Sequence, residues 1–378
     1  MKLEQVNRAP LHRQIAAVLK SELQKKHKPG DKLPPESQMA KDFQVSLLTI
    51  REALCVLSEE GMVSRMRGRG TFVLDPKERQ HIAIYSELDV LLPGISYYFH
   101  RLIQQLKLYF EKTGKRTQVY LGKSGPGEFH KKSTCESLLT DIENDKICGI
   151  IGVNLPFGQD FKRRCAEKKI PLIACNPHYD YCVYHSNTSL IKRGLDYLVA
   201  RGASRIGMIY FGSKDPNAEK EDDIPSDRDI FITEMARHGL AIEEKWLIPS
   251  IPLIAPGAGW ESFRELWFAK EEKPDGLLIC DDILFQEAMV AICEMGLKVP
   301  EELTICTHAN KGGFTLYPFP VAKIEFDADK QAQVMGDMLA ATLRDETIPN
   351  SKIVLQDTLV ETPSAAEAAA SLRQPAHS

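Results

Sequence analysis

The chain has cysteines but no cysteine pattern. Nine are scattered over 378 residues, with no Cys-x-x-Cys pair and no Cys/His cluster at zinc-ligand spacing, and an odd number does not fit a disulfide framework. They read as reduced core thiols. An apolar leader is also missing, because the N-terminus runs straight into Lys2, Glu4 and Gln5, and no apolar run is long enough to span a bilayer. A cytoplasmic protein with no membrane partner is expected. The sequence shows no Ser/His/Asp order, no metal-binding His pair and no short repeat. Gly122-Lys123-Ser124 has the form of a phosphate-loop end, but Thr117 occupies the position of that loop's first glycine, and Gly257-Ala258-Gly259 follows no clear strand. Neither a cofactor nor a bound metal is expected. Acid/base work by the adjacent carboxylates Asp281 and Asp282 is the one enzymatic alternative.

A strong charge imbalance is missing too, since the formal net charge is only −4. That total hides a split. Residues 1–80 carry 15 basic and 10 acidic side chains, against 33 and 42 in the remainder, so only the first stretch suits a polyanion.

Residues 33–73 organise the chain. From Ser46, a good N-cap, the apolar residues Ile50, Ala53, Leu54 and Leu57 recur at helical spacing and predict one buried stripe, with Leu47, Arg51, Cys55 and Ser58 on the other face. Pro35 opens a shorter helix that turns Met39, Ala40 and Phe43 inward, and Gln44-Val45 makes a tight connection between the two. Helices joined this closely form a helix-turn-helix candidate. After Gly61 the chain alternates through Met62–Met66, turns at Gly68 and resumes at Thr71-Phe72-Val73, a hairpin with Arg65, Arg67 and Arg69 at or near its tip. Arginines interleaved with Gly68 and Gly70 allow close approach to phosphates or a minor groove. An ordinary helical core with a solvated basic turn fits the helix pair equally well. The hairpin, which stands where a wing belongs, favours the nucleic-acid reading. Before this pair, a helix from about Pro10 sets Leu11, Ile15, Val18, Leu19 and Leu23 on one face.

Length leaves room for one large or two medium domains beyond this head. Residues 1–75 are expected to form the head and polar residues 76–81 a linker. Residues 82–363 are expected to form the body, and the Ala-rich 364–378 a disordered tail. In the body, short apolar runs such as Ile82–Tyr85, Gly149–Val153 and Gly276–Cys280 alternate with helix-length segments such as Ile95–Lys112 and Phe285–Met295. This is β/α repetition over buried parallel sheets, and it occurs twice, so two similar halves and a cleft are expected. Ligands of open α/β sheets sit beyond the carboxyl ends of the strands. That rule selects Ser86, Asn154, Asn176, Asp281 and Asp282. Asn154 and Asn176 fit a turn or cap equally well, and Asp281 fits a helix cap beside Asp282.

Residues 10–74 resemble the winged helix-turn-helix of the GntR family of bacterial repressors. The resemblance is carried by Pro29-Gly30-Asp31-Lys32-Leu33-Pro34, Thr49-Ile50-Arg51-Glu52-Ala53-Leu54, Glu60-Gly61-Met62-Val63 and Gly68-Arg69-Gly70-Thr71-Phe72-Val73. It implies DNA contacts from Ser46, Thr49 and Arg51 and a minor-groove fit for the wing glycines. Leu47 stands where that family usually has arginine, and His12 where it has tyrosine. An apolar Leu47 can touch a thymine methyl but cannot make a bidentate guanine contact.

Residues 82–363 resemble the effector domain of the LacI family, which shares the fold of periplasmic sugar-binding proteins. The carriers include Gly202 with Arg205-Ile206-Gly207, the isolated Arg228, Pro274-Asp275-Gly276-Leu277 leading into Asp281-Asp282, and Gly296–Thr304. This resemblance implies that Arg228 and Asp282 hold effector hydroxyls, that Trp260 stacks on a sugar face, and that the chain crosses between lobes near 182, 308 and 325. Glu287 stands where that family has a small glycine and is expected to reshape the pocket. A GntR head on a LacI-like body is the architecture of the arabinose repressors, and the chain resembles that group.

The expected fold is α/β, an N-terminal winged helix-turn-helix followed by a two-lobed periplasmic-binding-protein-like domain with parallel sheets. The expected function is a ligand-responsive transcriptional regulator, a repressor of carbohydrate utilisation that binds double-stranded operator DNA and a small sugar as a homodimer. Two alternatives stand beside it: an enzyme fused to a DNA-binding head, and a DNA-binding module whose body only dimerises.

Overall fold

The structure, a computed structural model, describes residues 10–66, 69–74, 80–92, 94–124, 135–155, 159–212, 225–251, 256–313 and 315–363. Arg67, Gly68, most of the expected linker and the expected tail lie outside the described residues. The chain divides into two compact units, residues 1–81 with 143–148, and residues 82–142 with 149–378.

In the first unit three helices, α1 (Leu11–Lys26), α2 (Glu36–Phe43) and α3 (Leu47–Glu59), precede the hairpin β1 (Val63–Met66) and β2 (Gly70–Val73). Ser46 caps α3, its hydroxyl accepting from Thr49 N at 3.1 Å. The short link from α2 is made by Gln44 in a left-handed conformation, φ 56°. The stripe on α3 is fully buried as its spacing predicts, with Ile50, Ala53, Leu54 and Leu57 all inaccessible and packed on Ile15, Leu19, Leu23 and Met39. Each large member contributes about 1.5–3 kcal/mol, so this stripe fixes which face of α3 is left outside. Leu11 departs from expectation: it is exposed, because α1 begins there and its first turn extends past the core. The hairpin is antiparallel with Val63 opposite Val73 and Met66 opposite Gly70.

The second unit holds two parallel-rich sheets, each six-stranded among the described residues. In the first lobe the order is β4 (Thr117–Ser124), β3 (His81–Leu88), β5 (Ile147–Asn154), β6 (Leu172–Ala174), β7 (Cys182–His185) and β13 (Lys352–Leu355). In the second lobe the order is β9 (Leu247–Ser250), β8 (Ile206–Phe211), β10 (Gly276–Ile279), β11 (Thr304–Asn310), β12 (Val321–Phe326) and β14 (Thr358–Thr362), with β14 antiparallel. Helices α4 (Tyr97–Lys112), α5 (Glu136–Glu143), α6 (Gln159–Glu167) and α11 (Ala328–Leu343) belong to the first lobe's part of the chain. Helices α7 (Asn187–Ala200), α8 (Asp227–Arg237), α9 (Ala258–Phe268) and α10 (Asp282–Glu294) belong to the second.

The apolar run Leu277-Leu278-Ile279-Cys280 shows why that sheet is central. Leu277 and Ile279 pack with Phe263 and Phe285 from α9 and α10, while Leu278 and Cys280 pack with Leu195 and Phe231 from α7 and α8. Successive side chains point to opposite faces, so a strand covered on both sides must be apolar throughout. Gly259 lets α9 and α10 approach closely, because a Cβ there would lie 2.1 Å from Leu284 O.

Among the described residues three chain crossings join the lobes, after β7, after β12 and between β13 and β14. Two agree with the expected positions near 182 and 325. The one expected near 308 is corrected, because β11 runs through His308 and pairs directly with β12 in the same sheet, Cys306 opposite Ala322 and Asn310 opposite Phe326. The third crossing is the short link from Leu355 to Thr358.

Candidate functional site

On the head, burial of the α3 stripe turns the opposite face outward. Leu47 is 39% exposed and Leu48 65%, while Ser46, Arg51 and Cys55 are also exposed and Thr49 half-buried. The Ser46 and Thr49 hydroxyls lie 2.8 Å apart at the start of this face. Arg51 is joined to the hairpin through Glu36 on α2, which accepts from Arg51 Nε at 2.8 Å and from Arg65 Nη2 at 2.7 Å. The hydrogen bond from Arg51 and the nearby charges of both guanidinium groups hold the Glu36 carboxyl below the usual carboxylate range, against a smaller opposing effect of burial. Glu36 is a residue the sequence reading missed, although it follows Pro34-Pro35 at the start of α2. Arg65 Nη1 also lies 3.6 Å from Cys55 Sγ on α3. Arg69 and Gly70 are exposed beside the hairpin turn, with Gly70 at φ 114° and its Cα side facing Lys32. His12 Nδ1 lies 3.5 Å from the Glu52 carboxylate, linking α1 to α3. The arrangement is an exposed face bearing hydroxyls, arginines and the leucines at 47 and 48, suited to a groove of nucleic acid.

In the body, the carboxyl ends of β10 and β11 and the turn before α4 enclose a cavity of about 330 Å³. Asp282 is among the residues that line it. Its Oδ2 accepts from Asn310 Nδ2 at 2.8 Å and from the Ser96 hydroxyl at 3.1 Å, and Asn310 Nδ2 also reaches Ser96 Oγ at 2.9 Å. Asp282 Oδ1 and Asn310 Oδ1 are buried without a hydrogen-bond partner among the described residues. Burial raises the Asp282 carboxyl above the usual range, although the Ser96 and Asn310 bonds counteract it. His308 Nδ1 stands 4.0 Å from Asp282 Oδ1. Burial pushes the His308 imidazole down to about 4, so near neutral pH this contact is not an ion pair. Tyr97, Tyr317 and Phe285 supply ring surface and Gln286 and Lys323 further polar groups, with Lys323 held by Glu325 at 2.8 Å. Apolar rings around a few polar groups suit a small polyhydroxylated ligand.

The structure brings only Asp282 of the sequence-selected effector residues to this cavity. Asp281 is the N-cap of α10, its carboxylate accepting from Ile283 N and Leu284 N, each at 2.9 Å. Ser86 is fully buried and donates to Leu88 O at 3.0 Å. Asn154 ends β5, half-buried, and Asn176 accepts from His178 N at 2.9 Å in a local turn. Arg228 is paired with Glu244 at 2.7 Å. Trp260 donates to Glu294 at 2.7 Å and packs beside the α9–α10 core. Glu287 corrects the expectation of a reshaped pocket: its carboxylate accepts from Gly257 N and Gly259 N at 3.0 and 2.7 Å, closing the N-terminus of α9. Gly122-Lys123-Ser124 lies in strand β4 and forms no phosphate loop. Ser96, His308 and Asn310 were missed; Asn310 is the last residue of β11, four positions beyond the run Leu303–Cys306 legible in the sequence.

Among the described residues no group of His, Cys, Asp and Glu is placed to hold a metal, and no helix is long and apolar enough to cross a membrane.

Residues 11–73 match the bacterial regulatory proteins of the gntR family, and residues 195–364 match the periplasmic binding protein-like domain. The arabinose metabolism transcriptional repressor of Geobacillus stearothermophilus is 25% identical over 301 residues, which is 74% of this chain and 76% of that protein. A regulatory protein of the LacI family from Chloroflexus aggregans aligns with a TM-score of 0.60 at 16% identity, covering 75% of this chain and 98% of that one. A transcriptional regulator in complex with cellobiose aligns with a TM-score of 0.58 at 14% identity, over 87% of this chain and 98% of that one. At such identities the two structures share the fold.

Proposed function

We propose, for a transcriptional regulator that joins a gntR-family DNA-binding head to a periplasmic-binding-protein-like body, that it is a cytoplasmic repressor of carbohydrate utilisation controlled by a small sugar. One observation carries this reading: a single chain holds both an outward arginine face on α3 and β1 and a cavity in which Asp282, Asn310 and Ser96 offer hydrogen bonds beside aromatic rings. The arabinose repressor among its relatives and the cellobiose-bound neighbour support a sugar as the ligand class. Residues 1–75 form the DNA-binding domain and 82–363 the effector domain, joined by 76–81. Ser46, Leu47, Thr49, Arg51, Arg65, Arg67, Gly68, Arg69 and Gly70 form the DNA-facing set. Asp282 holds sugar hydroxyls, with Ser96 and Asn310 beside it. A homodimer presents two heads to half-sites of fixed spacing, so lobe movement that alters head spacing changes operator affinity.

The test has two stages. A panel of mono- and disaccharides is screened by thermal shift, since a ligand that binds only the folded chain raises its Tm. The stabilising sugar is then added to a titration of operator DNA, and coupling of about 1–3 kcal/mol is expected, with operator altering sugar affinity by the same factor. A chain that no sugar stabilises, or whose DNA affinity ignores the sugar, is not the regulator described.

A further inference from the structure

Among the described residues Glu36 forms ion pairs with two of the arginines assigned to the DNA-facing surface, Arg51 on α3 and Arg65 on β1. Its carboxylate engages Arg51 at Nε, from the side. Among the described residues Arg51 Nη1 and Nη2 have no hydrogen-bond partner, and the side chain is 55% exposed. Those two atoms form the fork that reads O6 and N7 of a guanine. The other carboxylate oxygen takes Arg65 Nη2, so one acid connects the helix to the hairpin beside it. An exposed ion pair contributes little to stability. A bridge of this kind is therefore more consequential for the orientation of its arginines than for holding the head together, whose helices already share the buried core of Ile50, Leu54 and Leu57.

We propose that Glu36 is a positioning residue for base recognition, gripping Arg51 side-on so that its free Nη pair meets a guanine edge and tying the hairpin to the same helix through Arg65. The inference rests on the DNA-reading function proposed above. It carries a second consequence. A carboxylate between two arginines lowers the local positive charge, and so weakens binding to arbitrary phosphate backbone while sparing the specific contact. Removing it should move specific and non-specific binding in opposite directions. A residue that only holds the fold together would weaken both.

The experiment uses the full chain and two duplexes: one recovered by the wild-type protein from random-sequence DNA, and a scrambled duplex of the same composition. For Glu36→Ala, affinity for the recovered duplex should fall roughly tenfold. Affinity for the scrambled duplex should rise, with its log–log salt slope steeper by about one unit. Glu36→Gln, which keeps one acceptor for Arg51, should lose less on the recovered duplex. Adding Arg51→Ala to Glu36→Ala should cost little more, because both changes remove one contact. An unchanged ratio between the duplexes, additive losses for Glu36→Ala and Arg51→Ala, or equal weakening on both duplexes with a lowered Tm would overturn the proposal. A wild-type chain with no preference between the duplexes would instead refute the DNA-reading function itself.

Discussion

Ser96 donates its hydroxyl to Asp282 across 186 residues of chain, Oγ to Oδ2 at 3.1 Å. Ser96 caps α4 in the first lobe, and Asp282 opens α10 in the second. The bond therefore spans the lobes. It also shows the chemistry that a sugar would use there, since a ligand hydroxyl arriving at Asp282 replaces one hydroxyl donor by another.

Asp282→Ala should separate ligand response from DNA binding. It leaves Asn310 with one bond fewer and should cost about 1–3 kcal/mol of stability. Duplex affinity should stay within about a factor of two, because the change lies in the other compact unit of the chain. The thermal shift produced by the identified sugar should vanish. A variant stabilised by that sugar as strongly as wild type would move the effector site elsewhere.

On the wing, Arg69→Ala should weaken binding to all duplexes alike and flatten the log–log salt slope by roughly one unit, as expected for one lost phosphate contact. Gel-shift titrations at several salt concentrations measure this. A loss confined to one sequence would mean that Arg69 reads bases.

Leu47 is 39% exposed at the first position of α3. Leu47→Arg supplies two parallel donors where leucine has none, and should move preference toward guanine at one half-site position by about 1–3 kcal/mol. Selection from random DNA with both proteins decides it; identical sites would place residue 47 away from the bases.

Glu287→Ala removes the acceptor for Gly257 N and Gly259 N at the start of α9. The loss should be about 1 kcal/mol, seen as a lower Tm, with sugar binding retained. A selective loss of sugar binding would return Glu287 to the pocket.

His185 gives a pH signature. Burial pushes its imidazole down to about 4, and Nε2 accepts from Asp327 N at 3.1 Å. A base with a depressed folded pKa contributes stability present above its unfolded value, near 6.5, and lost as pH falls toward the folded one. The advantage of wild type over His185→Gln should thus be full at pH 7 and shrink toward pH 4. Denaturant unfolding at stepped pH measures it, and a constant difference would mean that His185 does not titrate as described.

The local order of this chain was legible because it depends on neighbours in sequence. Ile50, Ala53, Leu54 and Leu57 recur at helical spacing and Ser46 caps them, so both the buried stripe and the outward Leu47–Arg51 face follow from residues within four positions of each other. The run Leu277–Cys280 is apolar on both faces for a similar reason, since a strand covered by helices on each side tolerates no polar alternation.

The sites depended on contacts that no spacing encodes. Glu36 meets Arg65 over 29 residues and Ser96 meets Asp282 over 186, and the partner of each is chosen by how helices and lobes pack. The crossing expected at His308 failed because β12 pairs beside β11, a choice of strand neighbour invisible along the chain. Periodicity determined the helices, strands and buried faces of this protein, because it records the repeat of one element against solvent. Only tertiary packing decided which polar side chains converge, because a carboxylate left buried at Asp282 must find its donors wherever the two lobes bring them, Ser96 from the first and Asn310 from the second.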